Sequence, residues 1–119
     1  MKWDTDMAKI LSSLQSQPVV PPMHRIHKYP LVVQSDQFIK LPIDHVRLEF
    51  EMQADYRDQL IPTLWALVPL EDPLETFKII CLNTGSLISN EALGRYHHMG
   101  TVQEQSYVWH FFISKKPIQ

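Results

Sequence analysis

The chain of 119 residues holds one cysteine, three glycines and no apolar run approaching the roughly 20 residues of a membrane-spanning helix. With Cys81 alone no intramolecular disulfide can form, which fits a reducing compartment. Ile79, Ile80 and Leu82 around it point to a buried thiol packing as a small hydrophobe, with nothing beside it to lower its pKa. Gly85, Gly94 and Gly100 are too scattered to build a phosphate-cradling loop. An excess of cations is also missing: Lys and Arg number 11 against 13 Asp and Glu, for a formal charge of −2. Lys115–Lys116 is the sole adjacent basic pair, so the sequence argues against nucleic acid as a partner. Asp4 and Asp6 occupy the place where a secretory signal would carry a basic region and an apolar core. The expectation is a cytoplasmic protein, off the membrane.

What is present is an ordinary globular balance, 45% hydrophobic and 20% charged residues, enough for one modest core. Residues 1–17 read as an amphipathic helix capped by Asp4 or Thr5. Trp3, Met7, Ile10 and Leu14 recur at steps of four, three and four and make one apolar stripe, widened by Leu11. Pro18, Pro21 and Pro22 make residues 18–22 a stiff extended spacer. Residues 23–119 then form a β-rich domain.

In that domain the hydrophobic period falls to two. Strands are expected over Arg25–Val33, where Pro30 forces an edge position, a bend or a bulge, and over Gln37–Leu41. His45–Gln53 alternates most regularly, placing Val46, Leu48, Phe50 and Met52 on one face. A long polar loop is expected over Ala54–Ile61. Thr63–Val68 and Phe77–Leu82 are apolar on both faces and read as central strands covered on both sides. Ser89–Gly94 suggests one helical turn with an N-cap, and Tyr96–Val102 with Tyr107–Ser114 a hairpin. The fold class is mainly β (α+β): a small antiparallel sheet or sandwich of about seven strands with an N-terminal amphipathic helix.

Sites of chemistry are sparse. His24 and His27 would point to opposite faces of a strand, whereas His98 and His110 come within reach across the last hairpin. No carboxylate or thiol joins them at ligand spacing, so the histidines read as half-exposed cross-strand rings and neither metal nor cofactor is expected. Ser86, Ser89 and Ser106 lie in turns, and Glu49 and Glu51 on a wet face, so no catalytic residue is assigned. Trp65, Trp109, Phe111 and Phe112 could in principle form a base-stacking platform, but few cations flank them and core packing explains them better.

The blocks Ile26-His27-Lys28-Tyr29-Pro30-Leu31, Ile39-Lys40-Leu41-Pro42, Leu64-Trp65-Ala66-Leu67-Val68, Gly100-Thr101-Val102 and Val108-Trp109-His110-Phe111-Phe112 resemble a family of small uncharacterised proteins of bacteriophages and prophages. The resemblance spans Met23 to Ser114 and implies origin, with no activity attached. It also implies that residues before Met23 are an extension, with Met23 a conceivable internal start. The expected function is then a non-enzymatic phage-encoded protein that binds and inhibits or redirects a macromolecule of the bacterial host. Trp3, Met7, Ile10 and Leu14 are the partner-binding candidates, by helix-in-groove docking on a protein or by self-association into a homo-oligomer. The competing assignment for the same stripe is cover for the protein's own sheet. Alternative functions are a virion or assembly component docking through that helix, and a small ligand-binding or enzymatic β domain.

Overall fold

A computed structural model describes residues 23–118. The expected helix over 1–17, its stripe of Trp3, Met7, Ile10 and Leu14, and the spacer over 18–22 lie outside the described residues. The elements run β1 (His24–Pro30), β2 (Asp36–Pro42), β3 (Val46–Ala54), β4 (Leu60–Pro69), β5 (Leu74–Asn83), α1 (Asn90–Arg95), β6 (Tyr96–Glu104) and β7 (Tyr107–Ser114).

The seven strands form two antiparallel sheets, one ordered β1-β4-β3 and the other β2-β5-β7-β6. Pro30 ends an edge strand, where its missing N–H breaks no ladder on the open side. Gln37 ties the β1–β2 connection, its amide donating to the Val32 carbonyl at 2.7 Å and accepting from the Val32 N–H at 3.2 Å. Both β5 and β6 pair antiparallel with β7, so they run in the same direction. A connection must therefore carry the chain back, and α1 forms part of it. Ser89 caps that helix by accepting from the Ala92 N–H at 3.1 Å.

The two sheets pack face to face as a small sandwich. Leu64, Ala66 and Val68 of β4 meet Phe77, Ile79 and Cys81 of β5 and Phe111 and Ile113 of β7 in one buried cluster. Phe50 completes it from β3, its ring 4.9 Å from that of Phe111.

Three expectations need correction. The regular alternation in β3 breaks at a bulge between Arg47 and Glu49, where the pairing with β4 shifts by one residue. Phe50 and Met52 pack on the core, but Val46 and Leu48 are turned outward at 54% and 50% exposure. The polar excursion after β3 is a tight turn. The Asp55 carboxylate accepts from the N–H groups of Arg57 and Gln59, Asp58 adopts φ 59°, and β4 starts at Leu60. Finally, β4 and β5 are central, as their apolar runs imply, yet burial is mainly on the inner face, with Thr63 the buried residue on the outer face of β4. Trp65 and Leu67 on β4, and Ile80 and Leu82 on β5, are half-exposed on the outer faces.

Candidate interaction surface

Registry decides which side chains share the outer face of the three-stranded sheet. Leu67 of β4 lies opposite Ile26 of β1 on one side and Val46 of β3 on the other. The three form an apolar strip across all three strands, with Ile26 62% and Val46 54% exposed. One pair along, Trp65 lies between Lys28 and Glu49. The strip exists because the β3 bulge turns Val46 away from the core, toward the face that β1 reaches with Ile26. Met23 lies at the same end of β1, half-exposed, its carbonyl accepting from the Leu70 N–H at 3.0 Å. Residues 1–22 therefore join the domain at the corner nearest this strip. A contiguous apolar patch with a charged rim is the usual form of a protein-binding surface.

The histidines divide as their strand positions require. His24 and His27 fall on opposite faces of β1, opposite Pro69 and Ala66. His98 and His110 do meet across the β6–β7 hairpin, with ring centroids 6.2 Å apart. The Thr101 hydroxyl lies 2.9 Å from His110 Nδ1 and 3.3 Å from His98 Nε2, and the Thr84 hydroxyl 2.9 Å from His110 Nε2. Hydroxyls both give and accept hydrogen bonds, so either neutral tautomer of His110 is satisfied. The network fixes the rings on an open face. Among the described residues no group of three or more His, Cys, Asp or Glu side chains gathers at metal-binding distance.

Cys81 is buried in the core, and burial with the nearby Glu104 carboxylate pushes its thiol up to about 11. It packs as a hydrophobe. The four aromatic residues do not form a shared stacking platform. Trp65 lies outside the three-stranded sheet, Trp109 and Phe111 pack within the sandwich, and Phe112 lies outside the four-stranded sheet. Sequence reasoning missed the Ile26–Leu67–Val46 strip because it assigned Val46 to the core. The one signal for it was the second apolar face of β4, which needed a neighbour to cover it. Among the described residues, no helix is long and apolar enough to cross a membrane.

Residues 23–119 match the family described as "Domain of unknown function (DUF7352)". No curated protein and no solved structure matches.

Proposed function

The chain belongs to the DUF7352 family, whose description assigns no activity, and from its surface we propose a non-enzymatic protein that binds and redirects another protein. The observation that carries this reading is the exposed Ile26–Leu67–Val46 strip at the corner where residues 1–22 join the sandwich. A sandwich with its own core gains little in stability from Ile26 and Val46 left largely in water beside the partly buried Leu67. Covering them on a partner removes that surface from solvent and drives association.

The resemblance to phage and prophage proteins is the support for reading the bacterial host cytoplasm as the setting and a host macromolecule as the target, in host takeover or in defeating a defence system. Trp3, Met7, Ile10 and Leu14 would extend the contact, with Trp3 as anchor, since buried aromatic residues dominate many interfaces.

Affinity capture from expressing bacterial cells tests the proposal, using the full chain, an Ile26→Glu/Val46→Glu variant and a chain lacking residues 1–22. One protein retained in stoichiometric amount by the full chain and lost from the double variant is the expected result. Loss from the shortened chain as well places Trp3, Met7, Ile10 and Leu14 in the contact. Retention of nothing beyond the background overturns the proposal, and retention of particle proteins alone replaces the host target with a virion role.

A further inference from the structure

We propose that the outer face of the four-stranded sheet, together with the cleft beside the C-terminal tail, binds a single strand of nucleic acid. This site lies on the opposite side of the sandwich from the apolar strip, so either reading can fail without the other.

The face carries flat rings. Registry sets Phe38 opposite Lys78, Phe112 opposite Ile80 and His98, and His110 opposite Leu82 and Thr101, all pointing away from the core. Phe38 is 58% exposed. The His98 ring meets that of Phe112 edge-on at 5.1 Å and lies 6.2 Å from that of His110, so these three rings form one cluster, with Phe38 on β2 separated from it by β5. The Thr84 and Thr101 hydroxyls hold the imidazoles in place, so little ordering remains to be done when a ring stacks on them.

Cations border the rings. Lys40 lies on this face beside Phe38, its ammonium 2.7 Å from the Thr76 hydroxyl. At the end of the face the tail continues past β7 alongside the start of β5. The Lys115 N–H donates to the Arg95 carbonyl at 2.9 Å and the Ile118 N–H to the Thr76 carbonyl at 2.7 Å, which fastens the tail at both ends. Beside it opens a cleft of about 640 Å³ lined by Lys78, Arg95, Tyr96, Lys115, Lys116 and Ile118, among others. Tyr96 and Lys78 stand one row along from His98 and Ile80, so cleft and aromatic surface are continuous.

Five of the 11 Lys and Arg residues thus gather on one side of a chain whose formal charge is −2. Their counterions are loosely held: Lys78 is 3.9 Å from Asp36 and Arg95 is 3.7 Å from Glu91, both at the surface. Glu49, Glu51, Asp55 and Asp58 belong instead to β3 and its turn, in the other sheet. The cations come from positions 40, 78, 95, 115 and 116, so no local run announces them.

A single strand supplies what such a face selects: phosphates for the ammonium and guanidinium groups, and unpaired bases for the rings. A duplex keeps its bases stacked inside, out of reach of Phe38 and Phe112. An acidic peptide brings the charge without the stacking.

Fluorescence anisotropy tests this with the full chain and labelled oligothymidylate and oligouridylate of about 15 nucleotides, against a duplex of equal length and polyglutamate. The expected result is saturable binding of at least one single strand, with a log–log salt slope near −3, from about 0.7 per phosphate neutralised. The tighter of the two strands shows whether DNA or RNA of this type is preferred. Lys115→Glu/Lys116→Glu weakens binding by about tenfold or more and flattens the slope. Phe38→Ala weakens it by about fivefold to a hundredfold. Both variants change exposed side chains and keep the parent thermal unfolding, checked by circular dichroism. Failure to bind either strand overturns the proposal. So does binding of duplex or polyglutamate as tight as that of the strands, or undiminished binding by Phe38→Ala.

Discussion

His45 sits half-buried at the start of β3, its Nδ1 2.6 Å from the Pro42 carbonyl and its ring edge-on to Phe77 at 5.1 Å. Its Nε2 is buried with no hydrogen-bond partner. A proton there would create an N–H with nothing to receive it. Burial accordingly holds the imidazole below its ordinary value and Arg47 adds to the effect, against the Pro42 bond, which favours the charged form. The neutral form is the folded one, so its contribution is complete above about pH 6.5, the unfolded value, and is lost as pH falls through the lower folded value. The urea midpoint should fall between about pH 7 and 5, and fall less in His45→Gln. Gly100 shows a different constraint. A Cβ there would stand 2.8 Å from Phe50 Cδ2, on a ring that Phe111 already holds. Gly100→Ala should destabilise the fold by about 1–3 kcal/mol, measured by urea unfolding.

At the scale of the element, β3 shows how a bulge rewrites a hydrophobic pattern. Strict alternation gives Leu48 and Phe50 equal standing in the core. The one-residue shift between Arg47 and Glu49 leaves Leu48 half-exposed while Phe50 packs against Phe111 and Gly100. Leu48→Ser should change stability by about 0.5 kcal/mol or less, and Phe50→Ala should reduce it by about 2–4 kcal/mol. Equal losses from the two substitutions, read from chemical unfolding, would restore the unbroken alternation. The bulge also directs Val46 into the apolar strip, so the irregularity and the candidate docking surface have one origin.

Across the whole molecule, the buried hydrophobic residues among those described run from Leu31 to Ile113 and draw on both sheets. The sandwich contains its own core, so a chain of residues 23–119 should fold alone with one cooperative transition. Tryptophan fluorescence and far-UV circular dichroism, followed through the same denaturant series, check this by giving coincident curves. Aggregation or divergent curves would show instead that residues 1–22 cover part of the fold. Two outer faces remain on this scaffold, one carrying an apolar strip and the other rings and cations.

Period-two patterning, with the apolar runs at β4 and β5, located the seven strands to within a few residues, because both signals are local to a strand. Proline and Asn/Gly punctuation located several of the turns for the same local reason, and the Ser89 cap was legible from one residue. The apolar runs of β4 and β5 also marked them as central. Tertiary structure decided what those runs face. Strand order and register, set by pairings between residues far apart in the chain, made Ile26, Val46 and Leu67 neighbours and brought Lys40, Lys78, Arg95, Lys115 and Lys116 to one side. A sequence read along its length carries no signal for such groupings. They depend on a bulge that changes facing by one residue and on sheet contacts that close only once the core has formed.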